Sequence, residues 1–163
     1  MYTAEVDGEV AAFAHVVAMP RADAVVLEYL ATGGEHRNRG YGGRLLDEVV
    51  RLERERGAGG RMMIEAELPD EVEGEERELR RRRVGFYERH GAAAVECAPG
   101  YRAPDLEKPG AVRYSLLWVP LRDGVAAPRG EALRDLITEI FVASYGRPPD
   151  DELLAAVLSE LDC

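Results

Sequence analysis

A glycine-rich turn in the first third of the chain is the segment best suited to bind a ligand. It follows an apolar segment and precedes an amphipathic one, which predicts a strand, a tight turn and a helix. The first amides of a helix have no partners within it and lie at the positive end of its dipole, so they can bind an anion, particularly a diphosphate. Gly40 and Gly42 would keep side chains away from that ligand, and Arg37 and Arg39 could add charge-assisted contacts. The turn reads Arg37, Asn38, Arg39, Gly40, Tyr41, Gly42 and Gly43.

Taken alone, this turn does not identify a ligand. No Gly-Lys-Ser/Thr sequence follows it, which excludes a Walker loop, and the third glycine of the dinucleotide-binding fingerprint is missing. A plain connection between a strand and a helix explains the glycines equally well. The choice between these explanations depends on the elements around the turn.

Hydrophobic patterning predicts six strands and four helices. Asp7 and Gly8 predict a tight hairpin turn between the first two strands. Beyond Pro120 the pattern changes, because residues 124–130 predict a linker and two amphipathic helices follow, the last of them capped by Asp150. The predicted strands are Thr3–Val6, Glu9–Met19, Val25–Thr32, Arg61–Glu67, Ala93–Cys97 and Val112–Leu121.

Composition narrows the function classes. The 163 residues carry a net charge of -10, which argues against a general nucleic-acid binder because phosphate contacts need a basic face. No segment approaches the ~20 apolar residues of a membrane span, and the first residues lack the pattern of a signal peptide, so no membrane partner is expected. The two cysteines, Cys97 and Cys163, predict neither a disulfide framework nor a metal site. A reducing cytoplasm is the simplest location for such a chain.

Two motifs, in this order, resemble those of the GNAT superfamily of acyl-CoA-dependent N-acyltransferases. Residues 37–42 match the superfamily motif Arg/Gln-x-x-Gly-x-Gly/Ala, and Leu30-Ala31-Thr32 end the preceding strand at the offset that the family uses. Residues 85–91 resemble the Phe-Tyr-x-x-x-Gly segment of the family's following helix. The resemblance covers residues 1–121 and implies an α/β (α+β) fold, with a mixed, mostly antiparallel central sheet flanked by helices. Residues 122–163 then form a C-terminal extension, a helical hairpin.

The chain departs from the family pattern in three places. The strand and two helices that usually precede the first hairpin are not found before Tyr2 in this sequence, and three explanations stay open: a wrongly assigned start site, a remnant of the family domain, or a gap filled by a partner or by the C-terminal helices. The asparagine often found seven positions before the motif tyrosine is Arg80 here, which removes one usual cofactor contact. The Gly-Phe that usually ends the second motif is Gly91-Ala92.

The resemblance implies acetyl-CoA as co-substrate and no metal. The pyrophosphate would lie on the amides from Arg39 to Gly43, and the pantetheine arm would pair with the backbone of Leu30, Ala31 and Thr32. Family members part the two strands that correspond to residues 25–32 and 61–67, and the arm enters that gap. We therefore expect the cofactor to contact the whole turn 37–43 and the end of the strand before it.

The resemblance further implies that an amine attacks the thioester directly in a ternary complex, with the enzyme mainly positioning the reactants. Tyr87 matches the family's general acid for the departing thiolate, and packing of its ring against the sheet is the alternative. Glu28 is the first candidate for the general base, because a carboxylate inside an apolar strand needs a cavity or a partner, and desolvation would raise its pKa. Glu65 and Glu67 share a face of the neighbouring strand and are the second candidates, as contacts for the acceptor. Exposed or ion-paired strand acids explain all three equally well.

Two functions stay open on the sequence alone. One is an N-acetyltransferase acting on a small-molecule or N-terminal amine, and the other is a non-catalytic CoA-binding or interaction module. The run of arginines at 80–83 is better explained by i,i+4 pairs of Glu76 with Arg80 and of Glu78 with Arg82 than by phosphate binding. The tail helices need burial, either on the sheet of the same chain or against a second copy in a homodimer.

Overall fold

The computed structural model describes residues 1–163, in which helices lie on both faces of a seven-stranded sheet. The helices are α1 (Tyr41–Arg56), α2 (Gly74–Arg89), α3 (Gly130–Tyr145) and α4 (Glu152–Ser159). The strands are β1 (Tyr2–Val6), β2 (Glu9–Met19), β3 (Ala24–Thr32), β4 (Arg61–Glu67), β5 (Ala93–Ala94), β6 (Arg102–Pro104) and β7 (Ala111–Pro120).

The strand order along the sheet is β1-β2-β3-β4-β7-β5, and β6 pairs with the first residues of β7. Only β3 and β4 run parallel, and every other pair is antiparallel. The hairpin between β1 and β2 turns on Asp7 and Gly8, which both have positive φ (53° and 84°), as the tight turn requires. The structure confirms the predicted mixed, mostly antiparallel sheet flanked by helices.

The parallel strands β3 and β4 separate halfway along their length. Their pairing begins at Ala24 with Arg61 and ends at Leu27 with Ile64. Beyond that point β4 continues to pair with β7 alone. The register between β2 and β3 shifts at the same level and leaves Glu28 as the extra residue of a bulge. A bulge bends its strand and redirects the side chains that follow, and here it lies where β3 leaves β4.

Helices α1 and α2 cover one face of the sheet. Leu46 and Val49 of α1 pack in one apolar cluster with Val25 of β3 and Met62 of β4. The helix ends at Gly57, whose positive φ (61°) suits a C-cap. This packing fixes α1 on the sheet against β3 and β4.

The C-terminal helices cover the opposite face. The apolar side of α3 packs in the same cluster as Met63 and Leu116 of the sheet, so the segments on either side of residue 121 share one core. The tail therefore packs in cis, one of the two arrangements predicted for it, and the homodimer stays a prediction. The fully buried residues of α3 are Leu133, Leu136, Ile137, Ile140 and Phe141.

The prediction that the cysteines form no disulfide is wrong. Cys97 and Cys163, 66 residues apart in sequence, form a disulfide with a Cα–Cα distance of 5.4 Å. The backbone N–H of Asp162 also donates to the carbonyl of Cys97 (3.0 Å). The return of the tail to the sheet brings the two sulfurs together, and residue spacing does not encode that return. The cytoplasmic prediction rested partly on reduced cysteines and loses that support.

Three local predictions also need correction. The strand predicted over 93–97 is only two residues long, and the loop before β7 contains the additional strand β6. Asp151, not Asp150, caps α4, because its carboxylate accepts from the backbone N–H groups of Leu153 and Leu154 (2.9 and 3.1 Å). None of the four helices is long and apolar enough to cross a membrane.

Candidate active site

The glycine turn places the first residues of α1 close to the end of β3 and to the end of α2. Gly40 is the N-cap residue in the left-handed region (φ 79°), and no side chain caps the helix, so its first amides keep no side-chain partner. A Cβ on Gly42 would lie 2.8 Å from Oγ1 of Thr32, and one on Gly43 would lie 2.9 Å from the ring of His90. The glycines are therefore required by backbone conformation at one position and by close approach at two others.

A cavity of about 380 Å³ opens beside this turn, and we call it the glycine-turn cavity. Helix α2 closes its other side with Arg83, Phe86 and Tyr87. Of the predicted cofactor-binding residues, only Ala31 and Arg39 do not line it. Those that do are Leu30, Thr32, Arg37, Asn38, Gly40, Tyr41, Gly42 and Gly43.

Tyr87 lies in the wall of the glycine-turn cavity, on the last turns of α2. Its side chain is 8% exposed and its ring packs edge-on against Phe86, with ring centroids 5.3 Å apart. Burial raises the pKa of the Tyr87 phenol above its usual value of 10.0, and the Arg83 guanidinium opposes part of that rise. A phenol in this state keeps its proton at neutral pH. Tyr87 therefore packs in one cluster with residues of the sheet and also lines the cavity, and its role as general acid stays a prediction.

A second cavity, of about 580 Å³, lies where β3 and β4 have separated, and we call it the acidic cavity. The tail contributes to its wall through Ser144 and Tyr145 of α3. Five carboxylates and two basic side chains line it, so its charge is predominantly negative. The carboxylates are those of Glu28, Glu65, Glu67, Asp105 and Glu107, and the basic residues are Arg80 and Lys108.

Glu65 is a half-buried carboxylate of β4 in the wall of the acidic cavity. The Tyr145 hydroxyl donates to its Oε2 (2.7 Å), and the Tyr101 hydroxyl donates to its Oε1. Burial raises the pKa of Glu65 above its usual value of 4.5, while the two tyrosine hydrogen bonds lower it and the charge of Glu28 adds to the rise. A carboxylate in this setting is a candidate proton acceptor.

Glu28 faces the same cavity from the bulge of β3. Its Oε2 lies 3.1 Å from Nδ1 of His15 on β2, and its side chain is 19% exposed. The His15 ring stacks on Tyr29, with ring centroids 6.5 Å apart. Glu28 thus has both features that its position in an apolar strand suggested, a cavity and a partner.

Glu67 and the arginines of α2 form an ion-paired group at the rim. Arg83 contacts Glu67 at 2.9 Å and Arg80 contacts it at 3.6 Å. Glu67 therefore fits the alternative considered from the sequence, an acid on a strand that is neutralised by ion pairs. Arg80 also pairs with Glu76 (3.2 Å), which confirms that prediction.

The predicted pair between Glu78 and Arg82 is wrong. Glu78 pairs with Arg81 (2.9 Å), and Nε of Arg82 lies 3.4 Å from the Glu78 backbone carbonyl instead. Positions i+3 and i+4 are equally within reach on an exposed helix, so the sequence alone does not choose between them.

Sequence reasoning missed the tyrosines around Glu65. Tyr101 lies in a loop and Tyr145 lies in the tail, 36 and 80 residues from Glu65. The only signal in the sequence was that α3 is amphipathic and must be buried on one side, which did not show that Tyr145 would contact Glu65. No group of three or more His, Cys, Asp or Glu side chains is arranged to hold a metal ion.

Residues 1–91 match the family model described as the acetyltransferase (GNAT) domain, which is more than half of the chain. The chain belongs to the GNAT acetyltransferase family. No curated protein matches this GNAT chain. The family and its fold support an acyl-CoA-dependent acetyltransferase in general.

Solved structures with the same fold include proteins of several kinds. A Bacteroides thetaiotaomicron protein described as a GNAT-family acetyltransferase is 21% identical, with a TM-score of 0.66 over 90% of this chain and 72% of its own. An aminoglycoside 6'-N-acetyltransferase complexed with coenzyme A is 16% identical, with a TM-score of 0.57 over 76% and 73%. A GNAT-like decarboxylase, GphF, complexed with isobutyryl-CoA is 20% identical, with a TM-score of 0.53 over 74% and 77%. At these identities the likeness shows the GNAT fold.

Proposed function

We propose that this GNAT protein transfers an acetyl group from acetyl-CoA to an amine by direct attack in a ternary complex. The observation that carries the proposal is the parting of β3 from β4, with the glycine-turn cavity beside one strand end and the acidic cavity at the gap. One cavity offers a diphosphate site, and the other offers carboxylates to an ammonium group.

Acetyl-CoA fits the glycine-turn cavity by its chemistry. The pyrophosphate would accept hydrogen bonds from the amides of residues 39–43, at the positive end of the α1 dipole. The pantetheine arm would pair with the backbone of Leu30, Ala31 and Thr32, whose edge β4 leaves unpaired. A backbone N–H in that gap would polarise the thioester carbonyl.

The acceptor is an amine, from a small molecule or from the N-terminus of a peptide. An ammonium group is attracted to the acidic cavity and must lose one proton before its nitrogen can attack the thioester. Glu65 fits the role of base better than Glu28, because burial raises its pKa and two phenols hold its carboxylate in place, whereas Glu28 already contacts His15. Glu28 would hold the ammonium group beside it. We therefore expect cationic acceptors to react faster than anionic ones.

The departing thiolate needs a proton, and Tyr87 is the group placed to give it. Tyr87 lines the glycine-turn cavity, and its raised pKa would keep the phenol proton in place until the thiolate forms. Removal of a general acid or base lowers a rate by roughly 100-fold or more.

The test measures thiol release from acetyl-CoA with a small diamine, a peptide with a basic N-terminal sequence and a peptide with an acidic one. Wild type is compared with Tyr87→Phe, Glu65→Gln and Glu28→Gln. Tyr2→Phe and Glu53→Gln are matched controls, because the Tyr2 hydroxyl donates to the buried Glu53 carboxylate away from both cavities. We expect the first three variants to lose activity and the controls to keep it. Equal rates in all variants would overturn the assignment of the residues.

A non-catalytic CoA-binding module is the second candidate. The observation in its favour is Arg80, which stands where the family often has a cofactor-contacting asparagine and is paired here with Glu67 and Glu76. Such a module would be stabilised by CoA, through preferential binding to the native state, without releasing thiol with any amine.

A further inference from the structure

We propose that the C-terminal extension, residues 122–163, contributes to the function of the acidic cavity, and that its Tyr145 is a positioning residue for Glu65. The proposal rests on the proposed function, in which Glu65 accepts the proton of the acceptor amine. It concerns a segment outside residues 1–91, the part of the chain that matches the family model.

The geometry gives each oxygen of the Glu65 carboxylate its own phenol. Tyr145 donates to Oε2 and Tyr101 donates to Oε1, so the carboxylate is held between two donors and its remaining lone pairs have a fixed direction. Tyr145 is the last residue of α3, and Gly146 ends the helix with a positive φ (62°). One turn earlier, the fully buried Phe141 fixes the end of this helix on the sheet.

The same end of α3 presents a second polar group. Ser144 lines the acidic cavity, and its Oγ is buried without a hydrogen-bond partner in the chain. A buried hydroxyl without a partner costs free energy. The tail therefore contributes to this wall one hydroxyl that orients Glu65 and one, on Ser144, that has no partner in the chain.

The charges around Glu65 determine what Tyr145 does there. Glu28 faces it from β3, with His15 beside Glu28, and Tyr114 faces it from β7. Burial and the charge of Glu65 raise the pKa of Tyr114 to about 12, so this phenol stays neutral. Glu67, the next inward-facing acid of β4, is neutralised by Arg80 and Arg83.

Among these groups, only the two phenols that donate to Glu65 stabilise its ionised form. Burial and Glu28 both favour the protonated form, which could not take a proton from the ammonium. In the reaction the N–H bond of the ammonium breaks, its proton bonds to a Glu65 oxygen, and the freed nitrogen lone pair forms a bond to the thioester carbon. The C–S bond then breaks, the thiolate takes the proton of Tyr87, and the second proton that leaves the nitrogen restores that phenol. Tyr145 keeps Glu65 ready for that step by holding it ionised.

The test replaces Tyr145 with phenylalanine, which keeps the ring and removes the donor. The pKa of Glu65 is measured by carbon NMR of its carboxyl group, identified by its loss in Glu65→Gln. A hydrogen bond to a charged group corresponds to a pKa shift of roughly one unit or more, so the Glu65 pKa should rise by that amount in Tyr145→Phe. The acid limb of the pH profile of kcat/KM for the amine should move upward by the same amount, with KM for acetyl-CoA unchanged. Tyr101→Phe should act in the same direction, and Tyr2→Phe should change neither quantity.

The two proposals fail separately. If wild type releases no thiol with any amine, the proposed function fails, and the NMR titration still decides whether Tyr145 sets the ionisation of Glu65. An unchanged Glu65 pKa in both Tyr145→Phe and Tyr101→Phe overturns the positioning role. A loss of activity with no movement of the pH profile would show that Tyr145 contributes only packing.

Discussion

Replacement of Cys163 by serine should lower the free energy of unfolding by about 4 kcal/mol, the loop-closure value for a cross-link of this span. The disulfide joins the last residue of the chain to Cys97, which lies 66 residues earlier on the apolar side of the sheet. The bond from Asp162 to the Cys97 carbonyl and the ion pair between Arg102 and Glu160 both stay in the variant. The decrease in the free energy of unfolding therefore measures the effect of the cross-link, which restricts the conformations of the unfolded chain.

Urea unfolding of wild type, with and without reductant, and of Cys163→Ser measures this effect. At this chain length each kcal/mol corresponds to roughly 2–4 °C in melting temperature, so the variant and reduced wild type should both melt about 10 °C lower. Titration of thiols in the denatured, non-reduced protein should find none in wild type. Two free thiols in purified wild type, or a midpoint that reductant does not change, would refute the reasoning.

Three further predictions concern the cofactor site, the buried acid and the oligomeric state. Gly42→Ala places a methyl group against Thr32, at the site proposed for CoA. The apparent Kd for CoA, obtained from the rise in melting temperature with CoA concentration, should increase at least tenfold. Gly34→Ala, at a position with open space, should leave this Kd unchanged. The raised pKa of Glu65 means that the folded state holds this proton more tightly, so its contribution to stability is greatest at low pH and is lost as pH rises from about 4.5 through the raised pKa. The free energy of unfolding of wild type minus that of Glu65→Gln should therefore fall over that range in urea titrations, and a flat difference would contradict the assignment. Since the apolar faces of the tail are buried in cis, light scattering should give a monomer of 18.0 kDa, and twice that mass would favour the homodimer.

Local sequence determined most of the fold that could be predicted. The turn at Asp7 and Gly8 needs two residues that tolerate positive φ, and the glycine turn needs, at Gly40, a residue that adopts the left-handed conformation just before a helix. Each requirement involves neighbours in the chain, so residue type reveals it directly. The position of the glycine turn directly after β3 followed from the same pattern, and only acetyl-CoA as its ligand came from the family resemblance.

The acidic cavity could be predicted only in part. Alternation placed Glu65 and Glu67 on one face of β4, but the one-residue shift that puts Glu28 in a bulge beside His15 leaves no trace in an alternating pattern. Tyr145 reaches Glu65 across 80 residues of sequence. Such contacts depend on how α3 packs on the sheet. The spacing of the apolar residues in α3 predicts only that one side of the helix is buried.

The most direct test of the central claim is product formation from acetyl-CoA and a cationic amine, followed by mass spectrometry and thiol release together. The account predicts one acetylated amine for each CoA released, with both signals reduced at least roughly 100-fold in Tyr87→Phe and in Glu65→Gln and retained in Tyr2→Phe and Glu53→Gln. Stabilisation of the protein by acetyl-CoA with no acetylated product from any amine would contradict it and would leave the non-catalytic module as the function.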